Sequence, residues 1–86
     1  MRLVFDPHAL DDLRYWVRVD RKRAKKILDL VDSVLLDPFS GIGKPEPLKH
    51  LSSSAWSRRV DHEHRLVYRV EDDEVIILSC RYHYEK

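Results

Sequence analysis

Residues 56–80 read WSRRVDHEHRLVYRVEDDEVIILSC, and the period of this stretch decides the fold. Trp56 to Val60, Arg65 to Val70 and Val75 to Cys80 are three β-type runs, parted by the polar connectors DHEH and EDDE. Connectors this short join antiparallel neighbours, so the stretch predicts a three-stranded meander. In the middle run Leu66, Tyr68 and Val70 share one face while Arg65, Val67 and Arg69 share the other, which turns Arg65 away from the more apolar side. The third run is apolar at nearly every position, as expected of a central strand covered on both sides.

Upstream lies what can cover it. Arg2 to Phe5 is a short β-compatible run closed by Asp6-Pro7, an N-cap followed by proline at the first helical position. Leu10, Leu13 and Val17 then recur at helical spacing, with Ala9 and Trp16 on the flanks, giving a helix from about His8 to Val19. Asp20 can cap a second helix whose inward face is Ala24, Ile27, Leu28, Val31, Val34 and Leu35, with Asp37-Pro38 as its stop. The expected fold class is therefore α+β: an N-terminal strand, a two-helix hairpin packed on a twisted, mainly antiparallel sheet, and a short polar and aromatic tail, RYHYEK. At 86 residues the chain is expected to be one domain, residues 1–86, with room for one modest core.

Composition excludes several classes. The longest apolar run, Val75 to Leu78, is far shorter than the roughly 20 residues that span a bilayer, so no membrane role is expected. The start, MRLVFDPH, lacks the long apolar stretch of a secretory signal, and a cytoplasmic protein is expected. The single cysteine, Cys80, ends an apolar run and reads as a buried, inert thiol. Net charge is only +1, but its distribution is uneven. Arg14 to Lys26 holds seven basic residues against one acid, and Arg21, Lys22, Arg23, Lys25 and Lys26 crowd the start of the second helix, where the helix dipole disfavours cations. A cluster kept at that cost suits an external polyanion.

Between helix and sheet runs Gly41 to His50, GIGKPEPLKH, with both glycines of the chain and two of its four prolines. Such a loop is stiff, and it carries Lys44, Glu46, Lys49 and His50, a heavy ionisable load for a connector. Further on stand Arg58, Arg59, Arg65 and, near the end, His83. A carboxylate, several cations and a histidine are the tools of a metal-independent ribonuclease, which needs a base for a ribose 2′-hydroxyl, cations for a phosphorane and an acid for the departing 5′-oxygen. Other readings are simpler: Glu46 as a surface ion pair, Arg65 as a cross-strand partner of Glu63, Trp16 and Trp56 as packing residues. His62-Glu63-His64 lacks further ligands at metal-binding spacing and reads as a solvated turn. No cofactor or metal is called for.

The segments PF-x-G-x-GKPEPLKH (Pro38 to His50), WSRR (Trp56 to Arg59), EHRLVY (Glu63 to Tyr68) and CRYHY (Cys80 to Tyr84), with DD-x-x-YW at Asp11 to Trp16, together resemble the YoeB-type toxins of the RelE/ParE superfamily. The resemblance implies a RelE-like fold and a type II toxin-antitoxin mRNA interferase that cuts messenger RNA in the ribosomal 30S A site. It also implies a YefM-like antitoxin as partner, with a toxin homodimer as a further possibility. Carried over by residue, Glu46 matches the general base, Arg65 the phosphate-stabilising arginine and His83 the general acid. Tyr84 matches the tail tyrosine that helps hold substrate, and Lys49 and Arg59 fall on positions assigned to phosphate and RNA contact. The alternatives are a non-catalytic antitoxin-binding module or a topoisomerase inhibitor of the ParE branch, which characteristically lacks the Glu, Arg and His set. One departure stands out: toxins of this type typically end at the His-Tyr pair, whereas Glu85 and Lys86 follow it here.

Overall fold

Asp6 opens the first helix as the sequence predicts, its Oδ1 accepting from the His8 N–H at 2.9 Å. The computed structural model describes residues 1–82 and carries strand β1 (Arg2–Phe5), helices α1 (Pro7–Val19) and α2 (Arg21–Leu36), and strands β2 (Glu46–Pro47), β3 (Ala55–Arg59), β4 (Arg65–Glu71) and β5 (Glu74–Ser79). His83 and Tyr84 lie outside the described residues. Asp20 caps α2 by accepting from Arg23 N–H at 3.3 Å, and the helix stops one residue before Asp37.

The five strands form one sheet in the order β1-β5-β4-β3-β2. The meander β3-β4-β5 is antiparallel, as expected, and β1 joins its far edge in parallel beside β5. The result is an α+β fold of two helices on a mixed, mainly antiparallel sheet. β2 is an edge strand of two residues, which accommodates Pro47 because an edge position need not supply every ladder donor.

Helix faces differ from the sequence expectation in two places. α1 buries Ala9, Asp12 and Trp16, while Leu10 and Val17 are exposed. The true stripe runs through positions 9, 12, 13 and 16, and a charge at Asp12 hid it. Asp12 is tolerated inside because its Oδ2 accepts from the Cys80 N–H at 3.0 Å. In α2, Leu30 takes the buried place expected of Leu28, which is exposed. The core unites Ala9, Trp16, Ile27, Leu30, Val34, Leu66, Tyr68, Val75 and Ile77. Cys80 is buried there, and burial pushes its thiol up to about 12.

Candidate active site

The alternation of β3 sends its two adjacent arginines to opposite sides of the sheet. Arg58, opposite Leu66, points into the helix side and is fully buried. All five of its N–H groups are used: Nε donates to the Tyr68 hydroxyl at 3.1 Å, Nη1 to Ser33 Oγ at 2.7 Å and Ile42 O at 3.1 Å, and Nη2 to Asp37 O at 2.7 Å and Ser40 O at 2.9 Å. The Tyr68 hydroxyl in turn donates to Pro38 O at 2.6 Å, and burial pushes that phenol above its ordinary range. Arg58 is thus the internal anchor of the loop that follows α2, and its place among the cations suited to a phosphate is corrected: it has no donor left for an external ligand.

The same loop is tightened by its glycines. Gly43 has φ of 83° and approaches so closely that a Cβ there would sit 2.7 Å from Leu30 Cδ2. Its carbonyl accepts from Arg59 N–H at 2.7 Å. Pinned at both ends, the loop delivers Glu46 onto the sheet edge opposite Ser57.

Glu46, Ser57 and Val67 are successive cross-strand neighbours and therefore share a face. Arg65, two residues before Val67, lies on that face too, and its guanidinium reaches across: Nη1 donates to Glu46 Oε1 at 3.2 Å and to Ser57 Oγ at 3.2 Å. The Arg65 side chain is mostly covered, at 19% exposure, while Glu46 is open at 59%. Arg59 is directly opposite Arg65 in the register and is exposed. Two cations facing each other across a strand pair are destabilising. One carboxylate, Glu46, compensates Arg65, and Arg59 has no acidic partner among the described residues. The face is therefore suited to an anion placed beside a free carboxylate oxygen.

Of the residues expected at the site, Glu46, Arg65 and Arg59 come together on this face. Lys49 is exposed, in the turn beginning at Leu48, three residues beyond Glu46. His83 and Tyr84 fall outside the described residues. Ser57 was missed; only the WSRR segment, with serine on the same strand parity as Arg59, could have signalled it. The His62-Glu63-His64 expectation also needs correcting, because His64 is buried rather than solvated, its Nδ1 accepting from Tyr82 N–H at 2.6 Å. Among the described residues no cluster of potential metal ligands occurs, and no helix is long and apolar enough to cross a membrane.

The basic start of α2 is only partly free. Arg23 is bound to Asp20 Oδ2 at 2.9 Å and to Asp61 Oδ2 at 2.6 Å, and Lys25 to Asp29 at 3.1 Å. Arg21, Lys22 and Lys26 make no ion pair among the described residues. Burial raises the Asp61 carboxyl, but the N–H groups of Glu63 and His64 and the Arg23 side chain outweigh it and hold the group down at about 2.

Comparison with known proteins agrees with this architecture. The family model described as YoeB-like toxin of bacterial type II toxin-antitoxin system matches residues 5–84. The chain is 58% identical over 80 residues to Toxin YoeB of Mycobacterium bovis, covering 93% of this chain and 94% of that one. It is 50% identical over 84 residues to Toxin YoeB of Escherichia coli K12, covering 98% and 100%. Among solved structures, a YoeB/ParE toxin from Agrobacterium tumefaciens superposes with a TM-score of 0.92 at 43% identity, covering 98% of this chain and 100% of that one. A YoeB dimer from Staphylococcus aureus gives 0.89 at 45%, and a YoeB-YefM complex from the same organism 0.85 at 44%, each covering 98% of both chains. The chain belongs to the YoeB-like toxins of bacterial type II toxin-antitoxin systems.

Proposed function

We propose that this toxin is a ribosome-dependent endoribonuclease that cleaves messenger RNA in the A site of the 30S subunit and so stops translation. Glu46 takes the proton from a ribose 2′-hydroxyl, and the 2′-oxygen attacks the adjacent phosphorus. Arg65 and Arg59 stabilise the extra negative charge of the phosphorane. The bond to the 5′-oxygen breaks, His83 gives that oxygen its proton, and the products are a 5′-hydroxyl and a 2′,3′-cyclic phosphate, which a water molecule opens to a 3′-phosphate with the 2′-hydroxyl restored. Tyr84 holds the substrate, and Lys49 contacts phosphate. No metal takes part. The reaction is at home in the cytoplasm, where message and ribosomes are, and the paired protein is a YefM-like antitoxin of the kind seen with the Staphylococcus aureus relative; a toxin homodimer like that relative's is a further assembly open to the chain.

The observation that carries this reading is the pairing of Glu46 with Arg65 across the sheet edge, at 3.2 Å, beside an Arg59 that has no acidic partner among the described residues. A base within reach of a cation, with a second cation opposite, supports activation of a 2′-hydroxyl and stabilisation of the charge that develops at phosphorus. The test uses ribosomes programmed with message carrying one 2′-deoxy nucleotide on the 5′ side of the cut. That message should resist cleavage while the all-ribose message is cut; equal cutting would refute the mechanism. Growth arrest and antitoxin binding without any RNA cleavage would instead favour a binding module or a topoisomerase inhibitor.

A further inference from the structure

Immediately before His83 the backbone takes a conformation that has to be held. Tyr82 is left-handed, with φ of 62°, a region disfavoured for a bulky L-residue and kept only where the surroundings over-determine it. Its N–H donates to His64 Nδ1 at 2.6 Å, and its carbonyl accepts from Arg65 N–H at 3.1 Å. Its ring leans on the imidazole with centroids 5.0 Å apart. Two residues upstream, both backbone groups of Cys80 are held from α1: the N–H by Asp12 Oδ2 at 3.0 Å and the carbonyl by Trp16 Nε1 at 2.9 Å. Between them the Arg81 guanidinium lies 3.6 Å from the centroid of the Tyr15 ring.

His64 ties these contacts together. It is 5% exposed, packs edge-on against Trp16 with centroids 4.8 Å apart, and donates its backbone N–H to Asp61 Oδ1 at 2.7 Å. Because Nδ1 accepts, the neutral ring carries its proton on Nε2, which faces Glu63 Oε1 at 3.6 Å. An apolar side chain would fill the same space. What the imidazole adds, on the residue just before Arg65, is an acceptor aimed at one backbone N–H, that of Tyr82.

We propose that His64 is a positioning residue for RNA cleavage: as the acceptor for Tyr82 N–H it fixes the left-handed turn from which the chain enters His83, and the carbonyl of that turn is bound to the backbone of Arg65. It touches no reacting atom. The inference rests on the function proposed above and adds to it a fixed junction between the strand that bears Arg65 and the tail that bears His83.

Two substitutions separate this role from packing. His64→Asn keeps an acceptor oxygen near the place of Nδ1, whereas His64→Gln, closer to histidine in size, carries its amide out to the place of Nε2. A packing role ranks Gln above Asn; an acceptor role ranks Asn above Gln. On programmed ribosomes His64→Gln should lower kcat by about 10²-fold, the scale of a misplacement near 1 Å, with KM little changed, and His64→Asn should restore most of the loss. Hydrogen exchange of the Tyr82 amide, read by NMR on the free toxin, should be slow in wild type and His64→Asn and fast in His64→Gln. Loss of protection with wild-type kcat overturns the inference, as does a fall in kcat with protection intact, or a His64→Gln protein that keeps both. Wild-type toxin that cuts no message refutes the parent reading and takes the kinetic role with it, a result distinct from all of these because every variant is then equally inactive.

Discussion

Replacing Arg58 by lysine keeps the charge and nearly the length, yet it should remove a large part of the stability margin. Arg58 spends five N–H groups on five acceptors, at 3.1, 2.7, 3.1, 2.7 and 2.9 Å. Lysine has three donors on one nitrogen, so at least two acceptors lose their partner while the charge stays buried. A hydrogen bond to a charged donor is worth about 1.5–3 kcal/mol net, which puts the loss of two at about 3 kcal/mol or more. The three loop carbonyls belong to exposed residues and can recover water if the loop opens, so the lower end of that range applies. For a domain of this size about 3 kcal/mol corresponds to a fall in Tm of roughly 12–24 °C, a large part of a total that is typically about 5–15 kcal/mol. Urea and thermal unfolding followed by far-UV circular dichroism give the number directly. A loss below about 1 kcal/mol would refute the anchoring role; near-normal stability with abolished cleavage would show instead that Arg58 serves the substrate.

The Glu46–Arg65 pair at the site, its carboxylate open and its guanidinium mostly covered, behaves in the opposite way. Glu46→Gln should change unfolding free energy by no more than about 1 kcal/mol, and Arg65→Gln, whose covered guanidinium also holds Ser57 Oγ, by about 1–2 kcal/mol, while each lowers cleavage by programmed ribosomes by at least about 10²-fold; intact cleavage in either variant would remove that residue from the mechanism. Asp61 is held at about 2 against an ordinary 3.8, so it stabilises the fold fully above pH 3.8 and that contribution is lost as pH falls through 2. Scaled down for its partial exposure, the contribution is about 1–2 kcal/mol, and Asp61→Asn should remove that part of the pH dependence in acid unfolding curves. Cys80, buried and pushed up to about 12, should resist iodoacetamide at about pH 8 in the native protein and react readily in urea, as mass spectrometry can record.

The parts of the fold visible in the sequence are those encoded locally. Asp6-Pro7 and Asp20 announce helix starts because a cap needs only its own next turn, and the meander declares itself through period-two runs with connectors too short for anything else. The parallel pairing of β1 with β5 has no such local mark, since Arg2 and Glu74 meet only after the helical hairpin has carried the chain back. Asp12 shows a second limit. A carboxylate breaks an apolar stripe when the stripe is read by hydrophobicity, yet its partner, the Cys80 N–H, lies 68 residues away. His64 reads as a solvated turn residue for the same reason, its acceptor role being defined by Tyr82 N–H, 18 residues on.

The candidate site divides along the same line. Strand parity already separated Arg65 from the apolar face, and the stiffness of the loop singled out Glu46, but neither could say that one guanidinium would bridge Glu46 and Ser57. Parity divides Arg58 from Arg59 as well, although two adjacent cations look alike until the direction of each side chain is followed. Their fates follow from a single step along the strand: one is sealed inside with every donor occupied, the other is left facing Arg65 with no carboxylate of its own among the described residues. A fold that buries an arginine to hold the loop of Glu46, and sets the next arginine against a third, has put its structural charge and an outward-facing charge one residue apart. Arg65 lies on the same face as Arg59, so losing Arg58 should show in stability and losing Arg65 in turnover, and this is the contrast on which the two sets of variants must agree.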